Sequence, residues 1–211
     1  MLIIKESSKN AIATVAKILR DNGVVCFATE TVYGLACNAN SDLAVEKLYR
    51  IKERDLQKPV AVFVKDLIVA KRFLKFNSLE NKIAQNFMPG MITLVLEKKI
   101  TNNQQIFVSP LLNNGNSSLG LRIPNHQFCL KLLNTFDGII AVTSANISNC
   151  KSATSLKDVT KYFQDKVDLI VDGGVCEYKI ASTVLKVENN QINILREGLI
   201  NKELIKKYCK C

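Results

Sequence analysis

Several short stretches of this 211-residue chain gather side chains able to manage negative charge. Lys52-Glu53-Arg54 and Lys58-Pro59 bring three cations together where a helical pattern gives way to the apolar run from Val60. Arg122 closes the run Leu119–Ile123, and Arg196 closes Ile192–Leu195 just before Gly198. Arg54, Arg122 and Arg196 are half of the six arginines in the sequence. A guanidinium fork fixed at the end of an element suits bidentate recognition of carboxylate or phosphate. The plainer reading is compensation of helix dipoles, worth about 0.3–1 kcal/mol per charge at the surface. Ala141-Val142-Thr143-Ser144-Ala145-Asn146-Ile147-Ser148 begins as a strand and ends in small hydroxyl and amide groups, which suits ligand contact as well as ordinary turn capping. Thr29-Glu30-Thr31, between Val24–Ala28 and Val32-Tyr33-Gly34, reads in the same two ways.

Other chemistries lack their parts. Gly115 and Gly120 have Walker A spacing, but Leu121-Arg122 follow where Lys and Ser or Thr are required, and there is no G-x-G-x-x-G. The sole histidine, His126, follows Pro124-Asn125 at an expected strand-to-helix turn, with no clustered cysteines or carboxylates to complete a metal site, so a surface or capping role is expected. A hydrolase using Ser144 or Ser148 with His126 as base would lack the G-x-S-x-G elbow. The seven cysteines, at 26, 37, 129, 150, 176, 209 and 211, are odd in number and never spaced C-x-x-C, which argues against a disulfide framework and a zinc finger.

The elements that must position these groups follow from hydrophobic periodicity. Strands are expected at Leu2–Lys5, Val24–Ala28, Val60–Val64, Ile92–Leu96, Leu119–Ile123, Ile139–Thr143, Leu169–Val171, Thr183–Val187 and Ile192–Leu195. Helices are expected at Lys9–Asp21, Leu43–Lys52, Leu67–Phe76, Leu79–Phe87, Gln127–Phe136, Leu156–Gln164 and Lys202–Tyr208, with Asp42, Asp66, Ser78 and Ser155 as N-caps. The polar stretch Thr101–Ser118 is expected to be a flexible loop within one domain spanning 1–211. β-α-β units followed by a strand-rich last third predict an α/β fold: a twisted, mixed, open sheet flanked by helices.

Composition sets the remaining bounds. With 47% hydrophobic and 23% charged residues the chain reads as globular, and no apolar run reaches membrane-spanning length. Met1-Leu2-Ile3-Ile4 runs directly into Lys5-Glu6-Ser7-Ser8, unlike a secretory signal, so a cytoplasmic location with no membrane partner is expected. A formal charge of +10 invites a nucleic-acid or polyphosphate partner, although 23 of the 29 cations are lysines, as on a solvated Lys-rich surface.

The ordered set of motifs resembles the YrdC family, the threonylcarbamoyl-AMP synthases of tRNA modification, almost end to end. It comprises Thr29-Glu30-Thr31-Val32-Tyr33-Gly34-Leu35, Lys52-x-Arg54 with Lys58-Pro59, Pro89-Gly90 with Thr93, and Leu119-Gly120-Leu121-Arg122-Ile123-Pro124. Ser144-Ala145-Asn146-Ile147-Ser148, Asp172-Gly173-Gly174, Ser182-Thr183-Val184 and Leu195-Arg196-Glu197-Gly198 complete it.

That resemblance implies a YrdC-like fold and a reaction in which L-threonine, bicarbonate and ATP give threonylcarbamoyl-AMP and pyrophosphate. It implies ATP binding by Lys52, Arg54, Ser144 and Asn146, with Lys52 and Arg54 also catalytic, and further nucleotide contacts from Lys58, Ser118, Ser152 and Arg196. Threonine would meet Thr31, Arg122, Ser182 and the backbone of Val142. Mg2+ would be held mainly by ATP phosphates, with no protein metal site, and the product would pass to a downstream threonylcarbamoyl transferase complex. Phe63 stands where the family pattern has a polar residue, often His, and Asn149 replaces the glycine after the Ser-Ala-Asn-x-Ser run. The end at Cys211 resembles the short, single-domain members. The competing class is a non-enzymatic module binding double-stranded RNA or tRNA through a basic concave surface; tRNA or RNA contact fits either class.

Overall fold

Strands and helices alternate through residues 2–99 and 107–209, the part of the chain that this computed structural model describes. In order they are β1 (Leu2–Lys5), α1 (Ala11–Arg20), β2 (Val25–Phe27), β3 (Gly34–Asn38), α2 (Asp42–Lys52), β4 (Ala61–Phe63), α3 (Leu67–Phe73), α4 (Ser78–Phe87) and β5 (Ile92–Glu97). After a 3-10 turn at Pro110–Asn113 come β6 (Ser118–Arg122), α5 (Gln127–Phe136), β7 (Ile140–Ser144), α6 (Leu156–Phe163), β8 (Leu169–Asp172), β9 (Thr183–Glu188), β10 (Gln191–Arg196) and α7 (Lys202–Cys209). The ten strands form one sheet in the order β1-β8-β2-β3-β7-β4-β6-β5-β9-β10. It is mixed, as expected: β1/β8, β2/β8, β4/β6 and β5/β9 run parallel, the other neighbours antiparallel.

Successive strand residues point to opposite faces, and the core divides accordingly. Val25, Phe27, Phe63, Ile140, Val142 and Val171 pack with Val15 and Leu19 of α1 and Phe128 and Leu132 of α5. Cys26, Leu35, Val62, Ala141 and Ile170 pack on the other face with Leu48 of α2, Ile83 of α4 and Val159 of α6. Strands covered on both faces read as unbroken apolar runs, which is why most were visible in the sequence.

β3 was not. Gly-Leu-Ala-Cys-Asn contains no β-branched or aromatic residue, so it gives no strand signal, yet it is paired antiparallel to both β2 and β7. Gly34 is required there, because a Cβ would lie 2.7 Å from Val142 Cγ1.

Other expectations shift locally. Ser41, not Asp42, caps α2, accepting from the Ala44 N–H, and Asn77, not Ser78, caps α4 in a reciprocal capping box with Glu80; Asp66 and Ser155 cap as expected. α3 stops at Phe73 because Leu74 is buried in a bridge to Lys98. Within Thr101–Ser118, residues 101–106 lie outside the described part, and the remainder is built: Ser109 caps the 3-10 turn and Ser118 opens β6. The cations of residues 52–58 lead into β4, an interior strand and not a sheet edge. No helix of the described residues is long and apolar enough to cross a membrane.

Candidate active site

Where α1 and α5 leave their face of the sheet bare, alternate residues of neighbouring strands floor a cavity of about 380 Å3. Ala61 and Phe63 come from β4, Thr93 and Val95 from β5, Ser118, Gly120 and Arg122 from β6, and Val142 and Ser144 from β7. β6 shows the local logic: in Ser-Leu-Gly-Leu-Arg, Leu119 and Leu121 enter the core while Ser, Gly and Arg turn to the cavity. The volume falls in the range of small-molecule sites, about 300–1,000 Å3.

Among the described residues four cations line this space, Arg54, Lys58, Arg122 and Arg196, and no carboxylate does. Arg54 is tied to its own turn, Nε donating to Lys58 O and Nη2 to Pro59 O, both at 2.9 Å. Arg196 donates from Nε and Nη2 to Ser182 O at 3.1 and 2.7 Å, and from Nη2 to Ser182 Oγ at 3.1 Å. Gly198 lets that segment cross close to residues 181–183, since a Cβ there would lie 2.4 Å from Thr183 N. Arg122 donates from Nε to Gly90 O at 3.1 Å and lies 5.4 Å from the Phe63 ring centroid. Burial first, then the charges of Arg122 and Arg54, lowers the Arg196 pKa from its ordinary value. Cations that repel one another in a recess without carboxylates make a receptor for a polyanion.

Small hydroxyls stand among these cations. Ser182 Oγ and Thr93 Oγ1 are 2.8 Å apart, and Thr29 Oγ1 donates to Val32 O at 2.7 Å. Thr31, fully buried, sits behind Thr29 with 2.9 Å between their hydroxyl oxygens.

Arg54, Lys58, Ser118, Arg122, Val142, Ser144, Ser182 and Arg196 are thus brought to one cavity, whereas Thr31, Lys52, Asn146 and Ser152 are not among its lining residues. Lys52 is 1% exposed and turned inward. Its Nζ donates to Ser144 O at 2.5 Å, Asn146 O at 3.0 Å and Asn146 Oδ1 at 3.2 Å. Asn146 Oδ1 also accepts from Ser144 Oγ at 2.6 Å, and its amide donates to Ile147 O and Cys150 O. Lys52 therefore braces the loop after β7 from beneath, with Ser144 as the member that reaches the cavity. Burial, then Arg54, pushes the Lys52 pKa down to about 7. Ser152 precedes Ala153, whose carbonyl accepts the Tyr33 N–H and whose N–H donates to Ala145 O. Asn149 takes φ 67°, a left-handed conformation that asparagine tolerates better than most residues, so it serves where the family pattern has glycine.

Sequence reasoning did not single out Asn113 and Asn116, which also line the cavity, because they fell in the presumed loop. Asn113 is buried, and its amide donates to Asn116 O and Ser118 O, fixing that corner. Thr29, Tyr33 and Thr93 also line it; they stood inside quoted motifs with no role attached. His126 lies elsewhere: Nδ1 is 3.7 Å from Cys129 Sγ and Nε2 3.9 Å from Glu6 Oε2, so it is no base for Ser144, and at the N-cap of α5 its side chain makes no capping bond. Among the described residues no group of three or more His, Cys, Asp or Glu could hold a metal ion.

A family model described as Telomere recombination (Sua5/YciO/YrdC) matches residues 17–198. A relative from Methanocaldococcus jannaschii is 31% identical over 207 residues, 98% of this chain and 93% of its own length. The threonylcarbamoyl-AMP synthase of Bacillus subtilis is 35% identical over 195 residues, 92% of this chain but 55% of its own length. The structure of Pyrococcus abyssi Sua5 complexed with L-threonine superposes with a TM-score of 0.89 at 31% identity, over 98% of this chain and 60% of that one.

Proposed function

The chain belongs to the Sua5/YciO/YrdC family, and from that premise we propose that it is an L-threonylcarbamoyladenylate synthase, serving N6-threonylcarbamoyladenosine modification of tRNA. The observation that carries the reading is the cavity itself, which among the described residues is lined by four cations and no carboxylate, with small hydroxyls between them. The cations match a triphosphate and a carboxylate, and the hydroxyls a small hydroxy amino acid. The P. abyssi Sua5 structure, which holds L-threonine, superposes on nearly the whole chain.

In the proposed reaction the threonine amine and bicarbonate condense to a carbamate with loss of water. A carbamate oxygen then attacks the α-phosphorus of ATP, forming the new P–O bond as the bond to pyrophosphate breaks. Anions must meet and an anion must leave, so the protein's task is placement and charge stabilisation more than proton transfer. Arg54, Lys58 and Arg196 face the phosphates, with Ser118 and Ser144 as further nucleotide contacts. Arg122 takes the amino-acid carboxylate, with Ser182 and the Val142 backbone beside it. Thr31, Lys52 and Asn146 support these walls from behind. Mg2+ would accompany the nucleotide and be held mainly by its phosphates, since the described lining residues include no carboxylate to hold it. The product would pass to a threonylcarbamoyl transferase complex acting on tRNA, in the cytoplasm.

The non-enzymatic RNA-binding reading is not favoured, since the cations converge on one recess of small-molecule size that small hydroxyls also line. The deciding experiment is pyrophosphate release from ATP with threonine and bicarbonate supplied singly and together. Release should require both and proceed without RNA. Release that ignores threonine, or that appears only with RNA present, would overturn the synthase reading.

A further inference from the structure

Among buried charged groups to which the proposed reaction gives no task, Glu30 stands out. Its side chain is 3% exposed, and Oε1 lies 2.8 Å from Arg122 Nη2 while accepting the Asn125 N–H at 3.0 Å. Oε2 is buried without a hydrogen-bond partner. Arg122 lines the main cavity, whereas Glu30 lines a second one of about 190 Å3 together with Gly90, Asn125 and Tyr178. The two side chains thus form a wall between the two spaces, with the carboxylate behind the guanidinium.

We propose that Glu30 is the positioning residue for Arg122, setting the plane of its guanidinium so that the remaining nitrogen meets the amino-acid carboxylate; this rests on the synthase reading. The geometry supports the role from three directions. Arg122 Nε donates to Gly90 O, Nη2 is buried 2.8 Å from Glu30 Oε1 in an ion pair that lacks hydrogen-bond geometry, and the Phe63 ring lies 5.4 Å from Cζ. A planar fork hydrogen-bonded at Nε and paired by charge at Nη2 is restrained at two of its three nitrogens, which leaves Nη1 as the end offered to a ligand. Glu30 is itself held: its backbone carbonyl accepts the Tyr178 N–H, and Thr29 and Thr31 on either side share a hydroxyl contact. The Pro89-Gly90 and Thr29-Glu30-Thr31 motifs thereby acquire a common purpose, two acceptors aimed at one arginine. Phe63, which stands where the family pattern has a polar residue, packs on the same guanidinium and contributes no hydrogen bond of its own.

Titration calorimetry of the full chain with threonine and with ATP separately, on the wild type, Glu30→Gln and Glu30→Ala, tests this. Glu30→Ala should weaken threonine binding about tenfold or more, the coupling typical of contacting buried partners, and ATP binding by less than about threefold. Glu30→Gln, which keeps an oxygen able to accept from both Arg122 and Asn125, should recover most of the threonine affinity. It also keeps the volume should the alanine variant fail to fold. In the Glu30→Ala background, Arg122→Lys should add much less than it does alone. Unchanged threonine affinity in folded Glu30→Ala, equal losses for threonine and ATP, or Glu30→Gln losing as much threonine affinity as Glu30→Ala, would each overturn the positioning role. A wild-type protein that binds no threonine would instead defeat the synthase reading.

Discussion

Replacing Arg54 by alanine probes the proposed phosphate grip most directly. Two of the five N–H groups of its guanidinium go to Lys58 O and Pro59 O at 2.9 Å and the fork also meets the Tyr49 hydroxyl, which leaves part of it for a ligand at the cavity wall. A preorganised donor on an oxygen that gains charge in the transition state is worth about 2.7–4 kcal/mol, a loss of about a hundred- to a thousandfold in rate. The structural cost is far smaller. Arg54 is only partly buried, its two backbone bonds end on carbonyls of an exposed turn, and the Tyr49 hydroxyl keeps its own bonds to Lys58 O and Leu112 O, so stability should fall by about 1 kcal/mol or less, about 2–4 °C in melting temperature for a domain of this size. Arg54→Lys should recover part of the rate, because it keeps the charge and loses the fork. The assay is initial-rate pyrophosphate release across ATP concentrations at saturating threonine and bicarbonate, with a melting curve for each variant. Near-wild-type kcat/KM in Arg54→Ala would refute the clamp, and so would a loss of activity matched by a large fall in melting temperature.

Arg122→Lys should weaken threonine binding more than ATP binding, measured by calorimetry with each ligand; equal losses would move Arg122 to the nucleotide or to the scaffold. Lys52, whose pKa burial and Arg54 lower to about 7, should take up a proton when the polyanionic nucleotide binds. Above that pKa the amine is largely neutral and a neighbouring polyanion restores its charge, so uptake should be marked near pH ~8 and small near pH ~6. Calorimetry in two buffers of different ionisation enthalpy measures it, and uptake that persists in Lys52→Met would assign the proton elsewhere. The same depression means that the folded state binds this proton less readily than the unfolded chain. Its contribution to stability should therefore decline as pH falls from about 10.5 toward 7, and level off below.

Legibility in the sequence tracked local physics closely. Strands sandwiched between two helix layers announced themselves as apolar runs, and the mixed sheet followed from their order. β3 escaped because its place is dictated by its neighbours: a strand of Gly, Leu, Ala, Cys and Asn is held by β2 and β7 on either side. The cap residues shifted by one where two good capping types stood together, Ser41 with Asp42 and Asn77 with Ser78, and only geometry separates such pairs. Asn113 was hidden for a related reason. A run of Asn, Gly and Ser reads as loop, but the same short polar side chains can close a corner by bonding the backbone, as Asn113 does to Asn116 and Ser118.

The site divides along a different line. Arginines at strand and helix ends were visible as types, and the sheet order delivers them: β4 lies between β7 and β6, and β5 and β9 follow, so distant segments that carry Arg54, Arg122, Ser144 and Ser182 meet on one face. What types and spacing could not reveal is which charges face inward. Lys52 at the end of α2 has the ordinary look of a dipole-compensating lysine, yet it runs beneath the sheet to Ser144 and Asn146. Glu30 and Arg122 are separated by 92 positions and meet only through the fold. Charged residues are almost never fully buried unless paired, so a sequence reading assigns them to the surface by default. That default fails where function concentrates charge, because an inward-facing cation needs a brace at its back to leave its front available to a ligand. Arg54 is braced by two carbonyls of its own turn, Arg196 by Ser182, and Arg122 by Gly90 and Glu30. Only Arg122 has a charged brace, and it is the one assigned to the smaller, singly charged carboxylate. The bonds that brace Arg54 and Arg196 end on uncharged acceptors, so under the proposed assignment the difference in charge between the two substrates is matched by the braces behind the cations that would receive them.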